Sequence, residues 1–223
     1  MGAPNDTGNV SLFDSLVQDI DKEYQRLGLS LGWRFLTCSS RNLSPSTEIL
    51  FLSLNPGGKV SRPDHPSASC ESGSAYTAES WSGAPAGQSK LQQQIRRLFE
   101  IIDVNIESVL SGQLVPFRSP SWSELPRQAD CLEFGTRLWR EIIDYVQPRL
   151  IIGMGKSQLR PVLRAICGEP TRSEDIPVGW GSISAGLDLY PDTRIVSLPH
   201  LSRFGIMKRA RSQLALEQLF DLI

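Results

Sequence analysis

The chain has 223 residues, 40% hydrophobic and 21% charged, with a formal net charge of −1. These are values of a globular protein, long enough for one good core and short for two, and they exclude both disorder and a uniformly basic coat. No apolar run approaches the roughly 20 residues that cross a bilayer, and Met1–Ser11 lacks the basic-then-apolar pattern of a secretory signal. Met1-Gly2 begins like a myristoylation site, but Asp6 stands where Ser or Thr is required. A cytoplasmic protein is expected. The cysteines at 38, 70, 131 and 167 are scattered, with no C-x-x-C pair, so free thiols are expected rather than a zinc or iron–sulfur site.

Taken in chain order, Leu12–Leu27 carries a helical stripe of apolar residues, with Gly28 as its cap. Ile49–Ser53 is a short apolar run that enters Leu54-Asn55-Pro56-Gly57-Gly58. That pattern predicts a buried parallel strand ending in a tight, stiff turn. Pro56 fixes φ, the glycines allow close backbone approach, and Asn55 is left with a working amide. Residues 57–90 are rich in Gly, Ser, Ala and Pro. A loop of that length, carrying Tyr76, Glu79 and Trp81, reads as one folded over a site. His65 within it reads as an exposed loop residue.

Further helices are expected over Ser89–Ile102, Asp130–Val146, Lys156–Ile166 and Lys208–Leu222. Further strands are expected over Gln113–Arg118, Leu150–Gly155 and Arg194–Leu198, with Trp180–Leu189 as an edge hairpin strand. Alternation of strands and helices predicts an α/β fold: one three-layer α/β/α domain with a central, mostly parallel sheet of four strands. Residues 1–30 would be a helical lead-in packed on a catalytic domain of residues 31–223. In such a sheet the strand C-termini share one edge, where ligands bind. Asn55, Arg118, Gly155 and His200 would meet there.

GMGKS at 153–157 fails as a phosphate loop, because position 150 is Leu where that loop needs Gly. Neither the zinc-deaminase signature nor a G-x-S-x-G elbow occurs. What the strand ends do resemble is the uracil-DNA glycosylase superfamily, particularly its mismatch-specific and single-strand-selective branches. LSLNPGG resembles the first active-site motif, PHLSRF the second, in which His leads a loop that wedges into DNA. QLVPFRSP stands where the family's base-reading strand lies, and LIIGMG resembles the strand after the third helix. The resemblance covers roughly residues 31–223. The chain departs from the pattern at three places: Leu201-Ser202 follows His200 where Pro-Ser is usual, Gln113 stands where Asn is common, and the clustered cysteines of the iron–sulfur branches are missing.

The resemblance implies a monofunctional DNA glycosylase that extrudes a base and hydrolyses its bond to deoxyribose, with neither metal nor cofactor. Asn55 and His200 would be catalytic, the first orienting water, the second donating to the leaving base. Gln113, Phe117, Arg118, Tyr76 and Trp81 would bind the base. Gly57, Gly58, Lys59, Lys156, Leu201, Ser202, Arg203, Phe204, Lys208 and Arg209 would meet DNA, Leu201 and Phe204 either filling the gap left by the base or packing beneath their loop. Asp64 or Glu79 could add a carboxylate. The partner would be single- or double-stranded DNA, engaged by a monomer with no membrane association. Some relatives excise glucosylated hydroxymethylcytosine from phage DNA in bacterial defence. That substrate, a uracil or damaged-pyrimidine repair role, and a non-catalytic DNA-binding module all remain open at the level of sequence.

Overall fold

The computed structural model describes residues 11–60 and 64–221. The expectations on Met1-Gly2 and on Leu222 fall outside these residues. The apolar run Ile49–Ser53 forms strand β1 as expected. It is flanked on both sides by parallel neighbours, β2 (Leu110–Gln113) and β3 (Leu150–Met154). Parallel β6 (Arg194–Leu198) lies beyond β3.

Side chains alternate across these strands and divide the core into two layers. Leu50, Leu52, Ile151 and Ile195 face a cluster containing Leu16 and Ile20 of α1 (Leu12–Arg26), Leu138 and Trp139 of α4 (Gln128–Val146), and Leu159 and Leu163 of α5 (Lys156–Cys167). Phe51, Ile152 and Val196 face a second cluster, with Ile95 and Leu98 of α3 (Lys90–Ile101) and Leu216 and Leu219 of α6 (Ala210–Asp221). The helices begin where side chains can satisfy their open N–H groups. Ser11 accepts from Asp14 N, and Ser89 with Gln92 forms a reciprocal capping box.

Two expectations need correction. The sheet has six strands, not four, in the order β2-β1-β3-β6-β5-β4. The extra pair is an antiparallel hairpin, β4 (Arg172–Trp180) and β5 (Ile183–Leu189), added to the outer edge of β6. β4 opens on the polar run Arg172–Asp175 and contains Pro177, which an edge strand tolerates and which masks the usual strand signal. Second, β2 spans Leu110–Gln113, upstream of the expected Gln113–Arg118. Its LSGQ sequence carries no apolar run, yet all four residues are buried. Gly112 is there because a Cβ would lie 2.9 Å from the Trp139 ring. The loop after β1 is ordered by a short element of its own. It contains α2 (Ala75–Ala78), capped by Ser74, and Gln92 Nε2 of α3 donates to Ala75 O and Glu79 O.

The hairpin is tied to α5 by a buried charge cluster. Asp188, fully buried on β5, accepts from Arg160 Nε at 2.7 Å and from Arg164 Nη2 at 2.5 Å. Asp175 on β4 pairs with Arg160 and with Lys156 Nζ. Arg160 lies so close over Gly186 that a Cβ there would fall 2.5 Å from its guanidinium carbon. Burial opposes ionisation of Asp188, but the two guanidinium groups outweigh it and hold its pKa below the ordinary carboxylate range.

Replacing Asp188 by Ala should therefore cost about 2–3 kcal/mol, because Arg160 and Arg164 lose a buried charged hydrogen-bond partner while Arg160 keeps Asp175 and Arg164 stays partly in water. Because the folded-state pKa of Asp188 is depressed, its contribution is full above about pH 3.9 and is lost as pH falls below it. Denaturant midpoints of the parent and Asp188→Ala at neutral pH and in acid check both statements: the gap should narrow in acid.

Candidate functional site

The four parallel strands all end at one edge, and a cavity of about 1320 Å³ opens there. β1 delivers Asn55 to its wall. The turn after Asn55 is held by the segment after β2: Ser119 N donates to Pro56 O at 3.2 Å and Arg118 Nη1 donates to Gly57 O at 2.6 Å. Gly58 sits at φ +114°, a conformation that glycine adopts without strain. The Asn55 amide nitrogen is committed to the same segment, donating to Ser119 Oγ at 2.8 Å and to Phe117 O at 3.3 Å. Its Oδ1 has no hydrogen-bond partner among the described residues and remains an acceptor at the cavity wall.

β6 delivers His200 to the same cavity. Ser202 N lies 3.3 Å from His200 Nδ1, and Ser202 Oγ lies 2.7 Å from it. A backbone N–H can only donate, so Nδ1 is the acceptor and the ring proton sits on Nε2. Burial, with a smaller push from Arg203, lowers the His200 pKa below its ordinary value, so the ring is neutral at pH 7. The site thus presents an uncharged acceptor from β1 and an uncharged donor from β6. One strand separates these two, so the strand ends stand about 10 Å apart.

On the side of β1 away from β3 and β6, β2 ends in Gln113, whose Oε1 accepts from Ser53 Oγ at 2.7 Å. That contact directs its amide nitrogen, which has no partner among the described residues. Tyr76 is buried but forms part of the cavity floor, its ring set edge-on to Phe51 and Trp81 at centroid distances of 5.7 and 5.4 Å. The loop after β1 is anchored by a buried pair. Arg34 donates to both oxygens of Glu79, and Trp81 Nε1 donates to Glu79 Oε2 at 2.8 Å. Arg34 and the Trp81 donor keep the Glu79 carboxyl below its ordinary range, against the opposing effect of burial.

The expected residues Asn55, His200, Gln113, Tyr76, Trp81 and Arg118 are therefore gathered around one cavity, as are Gly57, Gly58 and Lys59. Lys156, Ser202, Arg203 and Phe204 line its other side. Two expectations are corrected, those on Phe117 and His65. Phe117 is fully buried behind the site, stacked 5.5 Å from Phe134. Of the two readings open for Leu201, it takes the second: it is buried in the second core layer beneath its loop. Lys208 is exposed but off the cavity wall, donating to Gln93 Oε1 at 2.7 Å, and Arg209 lies 4.5 Å over the Trp180 ring. His65 is not an exposed loop residue: its side chain is only 9% exposed, 3.6 Å from Glu79. It lines the cavity.

Sequence reasoning missed Arg34, Ser53 and Ser119, which position the loop, Gln113 and Asn55 respectively. Ser53 and Ser119 carried a signal, lying inside the LSLNPGG and QLVPFRSP stretches, and Arg34 carried none. No group of three or more His, Cys, Asp or Glu is placed to hold a metal ion among the described residues, and no helix there is long and apolar enough to cross a membrane. No protein-family model and no curated protein matches the chain.

Nuclear magnetic resonance of ring nitrogens tests the His200 geometry. His200 should titrate below about pH 6.5 and carry its proton on Nε2 in the neutral form. A midpoint above that value, or a proton on Nδ1, would contradict it. Ser202→Ala should raise the midpoint little, since the backbone donor to Nδ1 survives the change.

Proposed function

We propose that the chain is a DNA glycosylase of the uracil-DNA glycosylase kind, and that it hydrolyses the bond between a modified pyrimidine and deoxyribose. The observation that carries this reading is the pairing of Asn55 Oδ1, left open as an acceptor, with a neutral His200 donating through Nε2, across one cavity at the sheet edge. Departure of the base leaves oxocarbenium character on the sugar and negative charge on the base. Asn55 Oδ1 accepts a hydrogen bond from water on the sugar's far face and so orients it. An amide is too weakly basic to take the proton, so it positions the water, whose proton passes to the departing base anion or to solvent as the C–O bond forms. His200 Nε2–H donates to a base carbonyl as negative charge gathers there. A neutral donor suits this task, because it stabilises the anion without first having to be protonated.

The Gln113 amide nitrogen and the Tyr76 floor would read and seat the extruded base. The fold that accompanies this reading is the glycosylase's parallel sheet β2-β1-β3-β6, extended in this chain by the β4–β5 hairpin. The cavity exceeds the roughly 300–1,000 Å³ that encloses a drug-sized ligand. That space favours a base with a bulky substituent, such as glucosylated hydroxymethylcytosine of phage DNA, over bare uracil. An anti-phage role follows from that choice.

The test is base release from a panel of DNAs carrying uracil, hydroxymethyluracil, hydroxymethylcytosine or glucosylated hydroxymethylcytosine, with strand cleavage read after alkali. Release should be strongest from the glucosylated base, with cleavage only after alkali, and His200→Ala should lower the rate about 10²–10³-fold. Release of uracil in preference would return the chain to a repair role. Binding of modified DNA with no release from any member would leave a non-catalytic module.

A further inference from the structure

A glycosylase acting on duplex DNA must fill the space that the extruded base leaves, since unstacking costs several kcal/mol that inserted side chains offset. The loop after β6, expected to carry this wedge, does not offer one. Leu201 is turned into the core, Phe204 packs edge-on against Trp180 at 6.0 Å, and the exposed tip consists of Ser202 and Arg203.

The opposite lip of the cavity differs. Among the described residues three large hydrophobic side chains are strongly exposed, Val60, Tyr145 and Leu214, and of these Val60 alone lines the cavity. It is 65% exposed. It closes the Gly57–Val60 turn, whose start is held by the Arg118 and Ser119 hydrogen bonds described above. Lys59, exposed beside it, has no ion partner among the described residues. A β-branched side chain is stiff at χ1, so little conformational freedom is lost when it is inserted. Its apolar surface gains by leaving water for the stacked interior of DNA.

Resting on the glycosylase reading above, we infer that Val60 is the residue that enters the duplex in place of the extruded base, with Lys59 placed for a flanking phosphate. The gap-filling element is thereby moved from the His200 loop to the Asn55 turn. One short segment then both positions water and holds the stack open.

The test compares base release from matched duplex and single-stranded oligonucleotides carrying the same modified base. A single strand has no gap to fill, so the duplex-to-single-strand ratio isolates insertion. Val60→Ala should lower that ratio about tenfold, and Val60→Leu should restore it. An unchanged ratio, including a parallel fall on both substrates, would overturn the assignment. A second arm needs no chemistry: binding to a duplex with a stable abasic-site analogue against the intact duplex. The parent should prefer the abasic duplex and Val60→Ala should lose that preference. Loss of preference with no base release by the parent would overturn the catalytic reading while keeping Val60. No preference in the parent would overturn Val60 itself.

Discussion

The hydrogen bond from Asn55 Nδ2 to Ser119 Oγ, 2.8 Å long, is the interaction on which the site depends. It commits the nitrogen end of the amide to the protein and leaves the oxygen end to the cavity. Without that partner the amide could rotate and offer either end. The same Ser119 also receives the chain after β1 through its backbone N–H, so one short segment after β2 fixes both the turn and the side chain on it. The parallel register of β1 with β2 puts these two strand ends side by side.

His200 is arranged by similar means. A backbone N–H two residues on takes Nδ1, and partial burial keeps the ring uncharged. Its loop is then secured from outside by packing rather than by charge, with Leu201 in the core and Phe204 against Trp180. The hairpin β4–β5 supplies Trp180 and is itself held to α5 through Asp188 and its two arginines. Many of the chain's cations are thus spent within the fold. If the proposed DNA substrate is right, Lys59 and Arg203, both exposed at the cavity rim, are the cations placed to meet its backbone.

Much of this was legible in sequence because the informative residues lie on apolar strands with abrupt ends. Ile49–Ser53 running into Asn-Pro-Gly-Gly, and Arg194–Leu198 running into Pro-His, place their polar residues at a sheet edge by connection rules alone. β2 escapes the sequence pattern because its burial rests on Gly112 packing beneath Trp139 and on Ser111 bonding Thr37, and neither residue looks like a strand former. The hairpin was half-missed because Pro177 and a polar outer face hide β4. The direction of Leu201 could not be read at all. A one-residue change in how a loop leaves a strand turns an apolar side chain from solvent into the core. Arg34 and Glu79 meet across 45 positions, and no local pattern announces such a pair.

The central claim is that Asn55 and His200 act on a glycosidic bond in DNA. Its most direct test is single-turnover release of the modified base, followed by mass spectrometry, from DNA carrying glucosylated hydroxymethylcytosine, with the parent and Asn55→Ala compared at equal DNA occupancy. The account predicts free base and an abasic site from the parent, with release by Asn55→Ala slower by at least about a hundredfold while binding persists. Equal release by both proteins would contradict it, because the water would then be positioned by some other group.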